Sequence, residues 1–208
     1  MIIEKLSQSP DRTGRYLTRF DDGTIMRFYR QTVEDFGLYT GKAFSSEEFR
    51  QLQLAAEKMS AKMRAVRIVS AAGVSKMDLK QRLIRKGETL ESANDAVAWM
   101  EQLDLIDDRK TAHQVVSSCI RKGYGIARAK QSLYEKRIPK EFWDEALTDY
   151  PDQAEYIHAY LTEKLPAEPE QRDVRRVIDA LIRRGHPYPI IRKCLSQLSM
   201  DAEDLPEE

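Results

Sequence analysis

A motif that recurs three times constrains the fold of this chain more than any other feature of its sequence. Shifting the sequence by 50 residues places Leu83 and Lys86 on Leu133 and Lys136. Shifting it by 98 residues places the LIRKG segment that begins at Leu83 on the LIRRG segment that begins at Leu181. Three copies at a nearly constant spacing indicate tandem repeats of one supersecondary type.

Each repeat is predicted to contain three helices, because glycines and prolines separate the stretches of helical periodicity. A repeat this short cannot bury the apolar stripes of its helices alone, so it must close as a three-helix bundle or stack on its neighbours. The sequence therefore predicts a mainly α protein in which three tandem three-helix repeats form an elongated curved array. We place the repeats at residues 57–106, 107–150 and 151–199, followed by an acidic tail at 200–208.

Residues 1–45 have a different pattern. Residues 15–29 alternate apolar and polar side chains around an Asp-Gly pair at 22–23. This pair predicts a β-hairpin, because glycine tolerates the positive φ of a tight turn. We expect a further extended piece at Thr32–Leu38 and a helix that starts at Ser45, whose hydroxyl can cap free amides. The hairpin is predicted to form a small module ahead of the repeats.

Composition excludes several classes of protein. Apolar residues make up 41% of the chain, which is enough for a core and is not typical of a disordered chain. The longest stretch without a charged residue is the ten residues 111–120, whereas a spanning helix needs about 20. The charged start is not typical of a signal peptide.

Cys119 and Cys194 occupy apolar helical positions and are predicted to be buried. We expect a reduced, cytoplasmic protein.

The charge is balanced overall but unevenly distributed. The chain has 34 Lys and Arg against 34 Asp and Glu. Residues 60–148 and 171–198 each carry a net charge of +5, whereas residues 149–170 and 199–208 each carry −5. The basic blocks could face an anionic partner, or they could be solvated helix faces.

Cations cluster near the predicted helix ends within the basic blocks. A cation in the last turn stabilises a helix by about 0.3–1 kcal/mol through its dipole. The basic blocks contain more cations than the helix ends require. Arginine suits phosphate because its guanidinium can donate two parallel hydrogen bonds. The candidate contacts with a partner or with DNA are Arg82, Arg85, Lys86, Arg121, Lys122, Arg128, Lys130, Lys136, Arg175, Arg176, Arg183 and Arg184.

Catalytic motifs are not evident. The histidines at 113, 158 and 186 are far apart, and no glycine-rich phosphate loop is present. The adjacent Asp107 and Asp108 could bind a divalent metal, but such a pair more often caps the following helix. We expect no enzymatic activity, no cofactor and no metal site.

The second repeat resembles the RecX family of regulatory proteins. The resemblance depends on Leu105-Ile106-Asp107-Asp108, Ala112, Lys122-Gly123-Tyr124-Gly125, Leu133 and Lys136-Arg137-Ile138, with matching segments in the other two repeats. The family usually has an aromatic residue where this chain has Thr111. The amino-terminal hairpin is similar to the extension of the longer members.

The resemblance implies a non-enzymatic regulator of the RecA recombinase, with a crescent of three three-helix repeats. Such a protein is expected to bind RecA or RecA–DNA filaments and to inhibit or modulate recombination in DNA repair and the SOS response. We expect a monomer that binds RecA filaments, binds DNA only weakly when alone, and does not bind membranes. The family has no catalytic signature, so the candidate contacts above depend on charge alone.

Two alternatives remain open from the residues. A transcription regulator of helix-turn-helix type would need one recognition helix with base-reading side chains. The predicted helices that end at Leu103, Leu147 and Leu198 share no such set. A general helical-repeat scaffold for protein interactions is the other alternative.

Overall fold

The computed structural model describes residues 1–9 and 14–198. The predicted acidic tail, residues 200–208, lies outside the described residues. The chain divides into two compact units, Met1–Ile106 and Asp107–Glu208. The finer domain limits given above stay a prediction.

A three-stranded antiparallel sheet begins the first unit. Its strands are β1 (Ile3–Gln8), β2 (Arg15–Phe20) and β3 (Ile25–Tyr29), in the order β1-β2-β3. The turn between β2 and β3 contains Gly23 at a φ of 83°. The predicted hairpin is therefore confirmed, and β1 adds a strand that the sequence analysis did not predict.

The predicted extended piece at Thr32–Leu38 is wrong. Arg30–Asp35 form a short helix, α1. Val33 and Phe36 are three residues apart, and both pack on the core beneath the sheet. A helical turn brings residues at this spacing to one face, whereas a strand would separate them.

One long helix, α2 (Ser46–Ala71), connects the sheet to the first repeat. Ser45 and Glu48 form the predicted cap, in which each side chain accepts a backbone N–H of the other. Leu52 belongs to the core beneath the sheet, whereas Ala61 belongs to the core of the first repeat. The helix predicted to start at Ser45 and the one predicted from residue 57 are thus a single helix.

The three predicted repeats of three helices are present, each around its own hydrophobic core. The second half of α2 packs with α3 (Lys76–Arg85) and α4 (Leu90–Gln102) in the first repeat. The second repeat contains α5 (Asp108–Arg121), α6 (Ile126–Glu135) and α7 (Trp143–Leu147), which follows a 3₁₀ turn at Lys140–Phe142. The third contains α8 (Gln153–Lys164), α9 (Gln171–Arg183) and α10 (Tyr188–Gln197). The prediction of a mainly helical fold is confirmed.

The repeated residues have matching structural roles. Leu83, Leu133 and Leu181 are fully buried in their respective cores. The residues that cap the carboxyl ends of α3, α6 and α9 are the equivalent cations Lys86, Lys136 and Arg184. The next residue in each repeat is left-handed, and it is Gly87 in the first, Arg137 in the second and Gly185 in the third. The middle helix of each repeat therefore ends in the same way, and the repeated residues of the sequence are the ones that end it.

Candidate functional site

Four candidate contacts surround the Gly-Tyr-Gly turn between α5 and α6. Arg121, Lys122 and Lys130 are exposed. Arg128 is half-buried, and its Nη1 lies 3.3 Å from a carboxylate oxygen of Glu135. Three of the four cations are therefore accessible to an anionic partner, whereas the fourth takes part in local packing.

The Gly-Tyr-Gly turn packs against the loop that follows α9. The Gly125 N–H donates a hydrogen bond of 2.8 Å to the Arg184 carbonyl. A Cβ on Gly125 would lie 2.1 Å from the Gly185 carbonyl oxygen, and a Cβ on Gly185 would lie 2.5 Å from the Arg128 amide nitrogen. We call this contact between residues 123–125 and 184–186 the glycine seam. The glycine seam joins the second repeat to the third, so the Gly-Tyr-Gly motif has a role in packing.

Aromatic side chains cover the glycine seam. The His186 ring stacks on Tyr156 with 5.0 Å between centroids. Arg184 donates from Nη1 to the Tyr156 hydroxyl at 2.9 Å, and its guanidinium lies 4.9 Å from the Tyr160 ring centroid. The candidate contact Arg184 thus has its charge engaged by aromatic partners in the seam.

Tyr150 forms a hydrogen bond to the Gly-Tyr-Gly turn. Its hydroxyl donates a hydrogen bond of 2.6 Å to the Tyr124 carbonyl. Burial raises the pKa of Tyr150 to about 12, because the charged phenolate would lose its hydration. The hydroxyl therefore keeps its proton, and with it this hydrogen bond, across the physiological pH range.

His186 is a buried titratable group that the sequence analysis did not single out. Only 4% of its surface is exposed. Nε2 lies 3.2 Å from the Gly123 carbonyl oxygen, and Nδ1 lies 3.0 Å from Oε1 of Gln153. Burial lowers the pKa of His186 below its ordinary value of 6.5; the Gly123 carbonyl raises it, and the charge of Arg184 lowers it.

The stability of the second unit is expected to fall as the pH drops below about 6.5. In the unfolded chain His186 takes up its proton near its ordinary pKa of 6.5, whereas in the folded chain it does so only at lower pH. The unfolded state then binds more protons, so the free energy of unfolding decreases through this window. Urea unfolding at roughly pH 7.5 and 5.5 measures the effect. The His186→Gln variant should lose this part of the dependence; an unchanged pH profile in the variant would contradict the assignment.

The third repeat exposes cations along α9. Arg175, Arg176 and Arg183 are exposed. Arg176 lies 3.7 Å from an Asp173 carboxylate oxygen, with 75% of its side chain exposed. Such a pair contributes little to stability. In the second repeat, the candidate contact Lys136 is the counterpart of Lys86 and Arg184. It is half-buried at the carboxyl end of α6.

The candidate contacts of the first repeat lie at the end of α3. Arg85 and Lys86 are exposed, and Arg82 pairs with Asp78 at 2.8 Å. Arg82 and Lys86 line a pocket of about 420 Å³. The same pocket is lined by Arg15 of β2 and by Arg64, Arg67, Ile68 and Ala71 of α2. We call it the basic pocket.

Three cations of the basic pocket were not among the contacts predicted from the sequence. Arg15, Arg64 and Arg67 are far from Arg82 in the chain, and only the fold brings them together. One signal was available, because residues 64 and 67 are three apart on a predicted helix and must share a face. Nothing in the sequence placed Arg15 beside them.

Among residues 1–9 and 14–198, no group of three His, Cys, Asp or Glu side chains could hold a metal ion. Asp107 caps α5 as predicted, accepting the Lys110 N–H at 3.0 Å. Cys119 and Cys194 are buried, as predicted. No helix in the described part of the chain is long and apolar enough to cross a membrane.

Comparison with known proteins gives consistent matches. A family model described as the second three-helix domain of RecX matches residues 107–147. A protein of Chlorobaculum tepidum named regulatory protein RecX is 32% identical over 141 residues, which cover 66% of this chain and 87% of that protein. A protein of the same name from Clostridioides difficile is 26% identical over 204 residues, or 95% of each chain.

Two solved structures share the fold. The first, described as the crystal structure of regulatory protein RecX, has a TM-score of 0.64 and 22% identity, and the match covers 92% of this chain and 98% of that one. The second, RecX from Lactobacillus salivarius, has a TM-score of 0.59 and 21% identity, covering 70% of this chain and 98% of that one. At this level of identity the likeness concerns the fold.

Proposed function

Since this chain belongs to the RecX family of regulatory proteins, we propose that it binds RecA filaments on DNA and inhibits the recombinase. In this proposal the protein acts in the cytoplasm as a monomer, during DNA repair and the SOS response. Regulation follows from occupancy of the filament and needs no chemistry by the protein itself. This accords with the name regulatory protein that its relatives carry.

Family membership is the observation that carries the proposal. Charge gives it physical support, because a filament of RecA on DNA presents both protein surface and phosphates. The chain has no net charge, so it lacks the long-range attraction that strong free-DNA binders use. Its local cations, such as Arg121, Lys122 and Lys130, can still meet phosphates at short range once protein contacts have positioned it.

Binding to the filament is therefore expected to be tighter than binding to DNA alone. The measurement uses a fluorescent single-stranded oligonucleotide, either bare or coated with RecA in the presence of a slowly hydrolysed ATP analogue. Titration of the protein into each gives two dissociation constants at the same salt concentration. The constant for the coated strand should be lower by about tenfold or more, which corresponds to about 1.4 kcal/mol of protein contact.

Two other outcomes would contradict the proposal. Equal or tighter binding to bare DNA would favour a nucleic-acid-binding regulator of helix-turn-helix type. Failure to bind either substrate would favour a scaffold for some other protein. A duplex of defined sequence, tested beside a shuffled duplex, separates sequence-specific binding from the phosphate contacts that any sequence offers.

A further inference from the structure

The basic pocket gathers five cations from three separate elements. Arg15 comes from β2, Arg64 and Arg67 from α2, Arg82 from α3, and Lys86 caps the end of α3. Like charges this close repel each other unless anions lie between them. The pocket therefore needs anions, supplied by the protein or by a ligand, to offset this charge.

Carboxylates in the described part of the chain offset two of the five charges. Asp78 lies 2.8 Å from Arg82, and Glu88 lies 2.7 Å from Arg64. Among residues 1–9 and 14–198, Arg15, Arg67 and Lys86 have no carboxylate partner. A local charge of about +3 is thus available to a ligand, in a concave surface that reduces its screening by water.

Tyr29 holds two of the uncompensated arginines in place. Arg15 and Arg67 both donate to the Tyr29 hydroxyl, Arg67 from Nη2 at 3.2 Å. The Arg15 guanidinium also lies 4.5 Å from the Tyr29 ring centroid, and Arg67 Nε donates to the Met63 carbonyl at 3.1 Å. Two guanidinium groups are thereby fixed on one oxygen before any ligand arrives, which lowers the entropy cost of binding.

The geometry points to a binding site for the phosphate groups of single-stranded nucleic acid in the basic pocket. Arginine forks match phosphate oxygens, and three uncompensated cations suit neighbouring phosphates better than one carboxylate. A volume of about 420 Å³ is in the range of sites for small ligands, so the pocket has room for a nucleotide segment. The inference rests on the proposed function in taking DNA as the ligand, and it gives the amino-terminal sheet a role, since β2 supplies Arg15 and β3 supplies Tyr29.

The test measures DNA binding in the absence of RecA, so its failure is distinct from a failure of filament binding. The probe is a short fluorescent oligothymidylate, titrated with the full-length protein at low salt. The double variant Arg15→Ala/Arg67→Ala should bind about tenfold more weakly, and its log–log salt slope should fall by about 1.4, because each contact with a single-stranded phosphate contributes about 0.7.

A matched control removes two charges from the same sheet outside the pocket. Arg19 and Arg27 are exposed and do not line the pocket. The variant Arg19→Ala/Arg27→Ala should bind the probe within about twofold of the native protein, since exposed charges outside the site contribute weakly. Equal losses in the two double variants would overturn the pocket in favour of diffuse attraction.

A third variant keeps the test valid if the loss of Arg15 and Arg67 disturbs folding. Lys86 makes its described hydrogen bonds through its backbone, accepting from Arg64 at 2.5 Å and donating as the cap of α3. Lys86→Glu should therefore fold normally, with an unchanged circular dichroism spectrum, and should weaken binding by more than tenfold. Native affinity in this folded variant would overturn the proposal.

Two further probes identify the anion. An oligothymidylate with uncharged methylphosphonate linkages should bind equally weakly to the native protein and the pocket variants. Poly-glutamate should compete poorly with DNA for the native protein. Strong competition by poly-glutamate that the pocket variants lose, with DNA binding unchanged in those variants, would overturn the proposal and assign the pocket to an acidic protein segment.

Discussion

Gly185→Ala is expected to destabilise the second unit by about 3 kcal/mol, whereas Gly87→Ala costs the first unit about 1 kcal/mol. The two glycines occupy equivalent positions in their repeats, with φ angles of 85° and 87°. Alanine is strained by this backbone in both cases. Only at Gly185 would the added Cβ also meet other atoms, with the backbone N and the Cβ of Arg128 within 2.6 Å; at Gly87 it meets nothing within 4 Å. The difference therefore measures the close approach in the glycine seam.

Urea unfolding of the two variants beside the native protein measures both losses. Hydrogen exchange of the Gly125 amide, which donates to the Arg184 carbonyl, locates the effect. In Gly185→Ala this amide should exchange faster, while amides in the first unit keep their native rates. Equal losses in the two variants would contradict the seam, because backbone strain alone would then explain them.

The helical repeats were predictable because local signals agree with the tertiary structure. α3 and α6 cover Lys76–Arg85 and Ile126–Glu135. Each ends where a cation is followed by a left-handed residue, and each buries an equivalent leucine, Leu83 or Leu133. Periodicity, helix ends and burial all follow from the same few residues, so one alignment of the repeats fixed most of the fold.

The amino-terminal elements were less predictable because tertiary contacts decide them. β1 pairs with β2, but its register shifts between Ile3 and Lys5, which interrupts the alternation that marks a strand. The segment of α1 contains Thr32 and Val33, which are common in strands, yet it is helical because its apolar residues cover the core beneath the sheet. Propensity over six residues is too weak to override such packing.

The candidate contacts could be listed from charge, but charge does not show whether a side chain is exposed. Arg128 and Arg184 have the same composition signal as Arg121, yet both are half-buried at the glycine seam. Conversely, Arg15 and Arg67 are separated by about 50 residues and meet only through Tyr29. Long-range contacts therefore decide which cations can reach a ligand.

Removing the exposed cations beside the seam is expected to weaken the inhibition of RecA. The variant Arg121→Ala/Lys122→Ala/Lys130→Ala removes three exposed charges and retains Arg128, whose packing against Gly185 would confuse the result. Each exposed change should alter stability by no more than about 0.5 kcal/mol. The concentration for half-maximal inhibition of RecA should rise by about tenfold, and its dependence on salt should flatten, because fewer phosphate contacts release counterions.

A matched triple variant on α9, Arg175→Ala/Arg176→Ala/Arg183→Ala, removes the same charge from the third repeat. A loss of inhibition in this variant alone would move the contact to the third repeat. Native inhibition and native salt response in both triple variants would show that the two groups are solvated helix faces, and the partner contact would then lie elsewhere on the protein.

The DNA-dependent ATPase of RecA, measured on single-stranded DNA with and without the native protein, tests the central claim most directly. We expect the rate of ATP hydrolysis to fall progressively as the protein is added, and strand exchange to slow in parallel, while the protein alone hydrolyses ATP at the background rate. A RecA rate that stays unchanged at concentrations well above that of RecA, with strand exchange also unaffected, would contradict the claim that this chain regulates the recombinase.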